Sequence, residues 1–246
     1  MSASNHVHRR RPEALPPTLV GVGEGYRRWA STYDRMPNPL IAREERYLVP
    51  RLPDLTRAHV LDVACGTGRW LAQLLARGAC SGVGIDESDA MLREFGNRGT
   101  SRGRLVRADC LHLPFAEATF DFAICSFATC HIADIVRLFR EIARVMRPDG
   151  RFIVSDLHPA AYALGWRTGF RDAFESIQIE TRSHSLNDLE SVSAANGFEA
   201  LAYADLRIEA AEKPIFLVAR KPELFDQVVG TSAVFVLELK RSTRGA

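Results

Sequence analysis

Apolar positions at helical spacing begin the organised part of the chain: Tyr26, Trp29, Ala30 and Tyr33 fall at i, i+3, i+4 and i+7, one face of a helix. After a turn at Pro37-Asn38-Pro39, NPLIAREERYLVPRL predicts a second helix. The pattern then changes. AHVLDVA is a short continuous apolar run of the kind buried on both faces of a parallel sheet, and GRWLAQLLARG returns to helical spacing and stops at Gly78. The alternation repeats with SGVGID as a strand and SDAMLREFGNR as a helix capped by Ser88. GRLVRAD and FDFAICSF predict strands, HIADIVRLFREIARVM a helix, RPDG a turn and GRFIVSD a fifth strand ending at Asp156. Beyond an irregular stretch, SLNDLESVSAANG predicts a helix between Ser185 and Gly197. FEALAYADLRI and KPIFLVARK predict two closing strands paired antiparallel. AVFVLELKR is also strand-like and finds no place in this pattern.

Strands alternating with helices through short connections predict an α/β fold: a doubly wound, seven-stranded sheet, mostly parallel with an antiparallel last strand, helices on both faces. Three divisions follow: an arm over residues 1–22, a domain over 23–221, and an unplaced extension over 222–246.

Composition narrows the class. The 246 residues are 46% hydrophobic and 25% charged, with a net charge of +2, which offers no basic surface for a nucleic acid or a membrane. Cys65, Cys80, Cys110, Cys125 and Cys130 contain no C-x-x-C pair, so neither a disulfide framework nor a zinc site is expected. No metal is called for, and a reduced, cytoplasmic setting fits. No apolar run approaches the ~18 residues of a membrane span. The N-terminal arm lacks the apolar core of a secretory signal. His6, His8 and Arg9 to Arg11 read as a solvated, loose arm in preference to a metal or nucleic-acid site.

The chemistry centres on Gly66-Thr67-Gly68, directly after the first buried strand, where open α/β sheets bind ligands. Dinucleotide enzymes carry a third glycine or alanine three residues on; here that position is Leu71. No Lys-Ser/Thr pair follows, so the turn is not a phosphate loop. The ligand is expected to lack a pyrophosphate. Asp86 ends the second strand, 18 residues beyond Gly68, where an acid suits the hydroxyls of a ribose or, alternatively, caps the next helix. Asp62, inside the first strand, repels phosphate and attracts a cation; Asp109, at the end of the third, suits a heterocyclic amine. Three strand-end carboxylates around a glycine turn point to an adenosine bearing a positive, amino-acid-like group, the form of S-adenosyl-L-methionine.

From about Tyr26 to Lys221 the chain resembles class I S-adenosylmethionine-dependent methyltransferases of the small-molecule group (methyltransferase type 11), which includes ubiquinone/menaquinone C-methyltransferases and malonyl-carrier-protein O-methyltransferases. The resemblance rests on RRWASTYD, VLDVACGTGR, GIDESDAML, RADCLHLPFAEATFDFAICSF and EIARVMRPDGRFIVSD. It implies a Rossmann-like fold with lid helices over 23–50 and an acceptor loop over 156–185. It also implies that Tyr33 closes over the methionine end, lined by Asp62, Ala64, Cys65, Gly66 and Gly68. Asp86 and Glu87 would hold the ribose, Met91 would pack on the adenine, Asp109 and Cys110 would meet its edge, and Ser126 would lie near the sulfonium. Ala64 stands where many members have glycine, which is expected to be tolerated with a negative φ.

Acceptor-side candidates follow the fourth and fifth strands. His131 opens a helix and either faces the pocket or packs on the sheet. SDLHPAAYALGWRTGF leaves the fifth strand as a long loop, a common site of functional lids. Within it His158 is a possible base and Arg167 an anion clamp, with Tyr162, Trp166 and Phe170 as aromatic walls or as core filling; His184 is a cap neighbour or a pocket residue. The reading favours an enzyme that methylates a small or acyl-carrier-bound metabolite at a carboxylate or hydroxyl oxygen, acting as monomer or homodimer, with no nucleic-acid partner. A quinone-ring C-methyltransferase and a non-catalytic S-adenosylmethionine-binding regulator are the alternatives.

Overall fold

A computed structural model describes residues 16–95 and 102–243; the histidines and arginines of the arm lie outside them. The last residues of that arm are not loose. Thr18–Val20 forms a strand, β1, leading directly into helix α1, Val22–Tyr33. Helix α2, Pro39–Leu48, is started by Asn38, whose side chain accepts from the Leu40 and Ile41 amides, with proline at the first helical position.

The alternating region folds as its pattern predicts. Strand β2, His59–Val63, leads to α3, Arg69–Ala76; β3, Ser81–Asp86, to α4, Asp89–Glu94; then come β4, Gly103–Arg107, and β5, Phe120–Ser126. Helix α5 spans Ile135–Val145 and β6 spans Met146–Leu157. The α5 helix starts four residues later than His131, because Asp134 is its cap and accepts from the Arg137 amide at 2.9 Å, an interaction of about 1 kcal/mol. His131 instead closes a single 3-10 turn, Thr129–His131.

The segment after β6 holds a short helix, α6 (Pro159–Ala163), and a hairpin of β7 (Gly169–Arg171) and β8 (Ser176–Ile179). Strand β1 joins β8 in parallel, giving a small three-stranded sheet beside α1. Val20, Trp29, Phe170, Ile177 and Ile179 form its buried cluster, so Phe170 fills core. Arg28 of α1 ties down the hairpin turn by salt bridges to Asp172 at 2.5 Å and Glu175 at 3.0 Å.

Helix α7, Leu186–Ala195, is capped by Ser185, and Gly197 turns the chain at φ +77° into β9, Phe198–Arg207. The expected strand KPIFLVARK is a helix, α8 (Lys213–Val218), followed by α9 (Pro222–Val228). The missing strand is β10, Ser232–Arg241, drawn from the segment left unplaced. The large sheet has the order β4-β3-β2-β5-β6-β10-β9, and β10 runs antiparallel to both neighbours. The strand order reverses between β2 and β5, which opens a crevice at their carboxyl ends.

Successive residues of the central strands feed opposite faces. Leu61 and Val63 of β2 join Phe139, Ile142 and Phe152 in one core layer, while Val60 joins Trp70, Leu71, Phe122 and Ile124 in the other. Burying each such side chain contributes roughly 1.5–3 kcal/mol. Both layers hold the carboxyl ends of β2, β3 and β5 rigid at the crevice.

Candidate active site

Three residues in the five after β2 are left-handed: Ala64 at φ +53°, Gly66 at +56° and Gly68 at +75°. Ala64 therefore departs from the expected negative φ. The turn is too tight to spare it, and an alanine in this region costs about 1–2 kcal/mol. Gly66 and Gly68 serve different ends. A Cβ on Gly66 would stand 3.2 Å from Met91 Cε, on the cavity side, whereas a Cβ on Gly68 would run into the Phe95 ring. Gly68 makes the turn and does not line the cavity.

The carboxylates hold this turn as well as facing the cavity. Asp86 accepts from the Gly66 amide at 2.8 Å through one oxygen and from the Ser88 amide at 2.8 Å through the other. It thus does more than cap the helix, which Ser88 itself caps by accepting from Met91. Asp62 is buried and accepts from the Leu71 amide at 2.9 Å. Burial pushes its pKa up to about 7, opposed by that hydrogen bond and by Arg69, and burial also raises Asp86. Asp109, more exposed, accepts from the Leu111 amide at 2.7 Å and pairs with His112; these contacts outweigh its partial burial and hold it below the usual range. Burial lifts the Cys110 thiol to about 12, so it stays protonated.

A cavity of about 950 Å³ lies over the turn, beneath α1. It brings together Tyr33, Asp62, Ala64, Cys65, Gly66, Asp86, Glu87, Met91, Asp109, Cys110 and Ser126, and its lining also includes Tyr26, Phe127, Ala128, His131 and Ile132. The lid helix is tied to the glycine turn, since Thr67 donates to Asp34 at 2.8 Å. Burial raises the Tyr33 phenol to about 12.

Beneath the cavity lies a network that the sequence did not point out. Buried Glu44 of α2 accepts from Arg69 at 2.7 Å, Ser126 at 2.6 Å, Trp70 at 3.2 Å, and Ser155. Arg69 also reaches Glu45 at 2.8 Å and the Ser126 oxygen at 3.0 Å. The Ser126 hydroxyl proton is therefore committed to Glu44. The negative residues of α2 gave a hint, but nothing in helical spacing aims one of them under a distant strand.

Within the lining, Tyr26 Oη lies 2.9 Å from His131 Nε2, and the two rings meet edge to face. His131 Nδ1 lies 3.0 Å from the Glu180 carbonyl. Burial lowers the histidine pKa and keeps the ring neutral. The turn carrying it is clamped: buried Asp156 accepts from Thr129 Oγ1 at 2.6 Å and from the Cys130 amide at 2.8 Å. His184 donates to the Thr129 and Ile132 carbonyls, so it braces this turn and does not line the cavity.

The structure does not bring His158 and Arg167 to the cavity. Asp156, not His158, is the inward residue at the end of β6. His158 is the cap of α6, accepting from the Ala160 amide at 3.1 Å, with its other nitrogen 3.0 Å from Tyr203 Oη. Arg167 is exposed, stacked 3.8 Å over the Tyr162 ring and donating to the Tyr162 and Trp166 carbonyls. Trp166 packs against the core below.

A doubly wound sheet with this strand order, a glycine turn without a third glycine, and strand-end acids around one cavity are the features on which the resemblance to class I S-adenosylmethionine-dependent methyltransferases rests. Comparison with known proteins agrees. Residues 61–154 match the family model described as a methyltransferase domain. It is 34% identical over 150 residues to a demethylmenaquinone methyltransferase of Thermobifida fusca, covering 56% of this chain and 63% of that one. It is 35% identical over 115 residues to a sterol 4-C-methyltransferase of Caenorhabditis elegans, covering 45% and 34% respectively. The chain spans about a third of the length of the first curated relatives it matches. In fold it resembles an S-adenosylmethionine-dependent methyltransferase of Mesorhizobium loti, with a TM-score of 0.66 at 20% identity over 83% of this chain and 100% of that one. Among the described residues, no helix is long and apolar enough to cross a membrane.

Proposed function

We propose that the protein transfers a methyl group from S-adenosylmethionine to a hydroxyl oxygen of a small metabolite. The observation that carries this reading is a cavity under α1 lined both by the strand-end acids around the glycine turn and by a neutral Tyr26–His131 pair. Its volume lies near the top of the range for small-molecule pockets, room for a cofactor and an acceptor together.

When bound, S-adenosylmethionine supplies an electrophilic methyl group on a sulfonium. The chain's own residues do the rest. Asp86, beside Glu87, is placed to accept from ribose hydroxyls with its remaining lone pairs. Met91 packs on the adenine, and Asp109 and Cys110 border its edge. Asp62 faces the cationic methionine end, whose backbone wall is Ala64, Cys65 and Gly66, and Tyr33 closes it from the lid. Ser126, held by Glu44 and Arg69, borders the methyl group without donating to it. Holding two reactants in line is worth roughly 7–11 kcal/mol in favourable cases.

With Arg167 outside the cavity, a carboxylate acceptor loses the clamp that the sequence suggested. A second reading, C-methylation of a quinol ring, is favoured by the demethylmenaquinone methyltransferases among the relatives and by the same aromatic lining of Tyr26, Phe127 and His131. The test has two parts. Thermal stability should rise with S-adenosylmethionine or S-adenosylhomocysteine and not with NAD. Radiolabelled methyl groups should then pass to acceptors in a metabolite extract. Binding without any transfer would favour a regulator.

A further inference from the structure

Tyr26 and His131 belong to separate layers, one on the lid helix and one on the turn clamped to β5 and β6. Their protons can be placed. The Glu180 carbonyl only accepts, so His131 Nδ1 carries the ring proton of the neutral imidazole. Nε2 then presents a lone pair, and the Tyr26 hydroxyl donates to it. Both rings line the same cavity as the strand-end acids.

Resting on the methyltransferase reading above, we propose that Tyr26 and His131 form a proton relay that deprotonates the acceptor, and that the acceptors are weakly acidic hydroxyl compounds, phenols or enols. The acceptor hydroxyl passes its proton to Tyr26 Oη while the tyrosine's own proton moves to His131 Nε2. The freed electron pair on the acceptor oxygen forms the new bond to the methyl carbon, and the pair of the breaking C–S bond stays on sulfur. The imidazolium then returns the proton to solvent through Tyr26 once product leaves. A carboxylate is already ionised at neutral pH and gains nothing from such a pair.

The surroundings suit a base that is neutral at rest. His131 faces Tyr26 from α1 with Tyr33 behind it, Asp156 from β6, Cys130 in its own turn, and Arg182 beyond β8. Burial lowers the histidine, Asp156 opposes that, and Arg182 adds to it. Burial, with Tyr33, Cys130, Asp156 and Asp86, raises Tyr26 well above an ordinary phenol, so it does not persist as tyrosinate and must hand its proton on in concert.

The test uses the full chain with S-adenosylhomocysteine bound, and catechol and naphthol as probe acceptors. NMR of protein labelled at the histidine ring nitrogens should show His131 protonated on Nδ1 and bare on Nε2. Catechol should move the Nε2 signal in the unaltered protein and not in Tyr26→Phe. His131→Asn keeps an amide donor for the Glu180 carbonyl, so its fold is preserved and is checked by unchanged S-adenosylhomocysteine affinity. With S-adenosylmethionine in place of the product, both variants should lower turnover of catechol at least about a hundredfold, the ordinary scale of a general base. In the unaltered protein, turnover should fall on the acid side with a midpoint below the usual histidine value. A protonated Nε2, an Nε2 signal indifferent to both phenols, or variants as active as the parent would overturn the relay. Failure of the unaltered protein to bind S-adenosylhomocysteine would instead overturn the methyltransferase reading, so the two failures are distinct.

Discussion

Replacing Asp62 by asparagine should stabilise the ligand-free protein while weakening its hold on the cofactor. The unfolded chain releases this proton near the model value of 3.8, whereas the folded protein holds it to about 7. Between those values the unfolded state binds fewer protons, so stability falls as pH rises and then levels off above about 7. A shift of about three units corresponds to about 4 kcal/mol at most, and water in the cavity reduces it. Asparagine retains a carbonyl oxygen for the Leu71 amide without the buried charge. The variant should therefore match the parent near pH 4 and exceed it by about 1–3 kcal/mol at pH 8, read by denaturant unfolding across that range. Cofactor binding should move the opposite way. A cation favours ionised Asp62, so the parent's affinity should rise with pH through about 7, with proton release detectable by calorimetry in buffers of different ionisation enthalpy. Loss of the charge should cost roughly 1.5–3 kcal/mol, ten- to more than a hundredfold in Kd. A stability difference independent of pH, or unchanged affinity in the variant, would refute the reasoning.

Ala64→Gly should relieve a left-handed alanine at the cost of a looser unfolded chain, leaving a net gain of about 0.5–1 kcal/mol, seen as a rise of about 1–4 °C in Tm. Gly66→Val should abolish S-adenosylhomocysteine binding in calorimetry, since even a Cβ there meets Met91 and the residue sits at positive φ; a folded variant with parental affinity would contradict the site. Asp86→Asn should weaken the same affinity by about tenfold or more while still accepting from one of its two amides. His158→Ala and Arg167→Ala, both outside the cavity, should change turnover by no more than about threefold in a radiolabel assay.

The order of strands and helices was legible because each buried strand reads as a continuous apolar run and each helix carries its own stop and start residues, such as Ser88, Ser185 and Gly78. The convergence of Asp62, Asp86 and Asp109 on the cavity was legible too, because strand ends converge wherever a doubly wound sheet reverses. KPIFLVARK misled because a short apolar run fits strand and buried helix alike. Pro214 at its start was the unused clue, being a helix-opening residue. Ala64 kept no trace of its φ, which the turn imposes through hydrogen bonds formed elsewhere. The Tyr26–His131 pair was the least legible part of the cavity. His158 sits two residues beyond Asp156 but past the end of β6, where it caps α6. Tyr26 and His131 are 105 positions apart and meet only where α1 packs over the Thr129–His131 turn.

The placement of β10 sets the order in which the molecule can be completed. Strands β2 to β6 can associate as their residues leave the ribosome, but the outer flank of β6 gains its neighbour only when Ser232–Arg241 arrives. Until then β6 presents an open row of amides and carbonyls beside Phe152 and Val154, and β9 has no partner in the sheet. Such an edge invites pairing with another nascent chain. The segment that resembles a trailing extension is thus the closing strand: a chain stopped before Ser232 keeps every residue named around the cavity and lacks the strand that seals the sheet behind them.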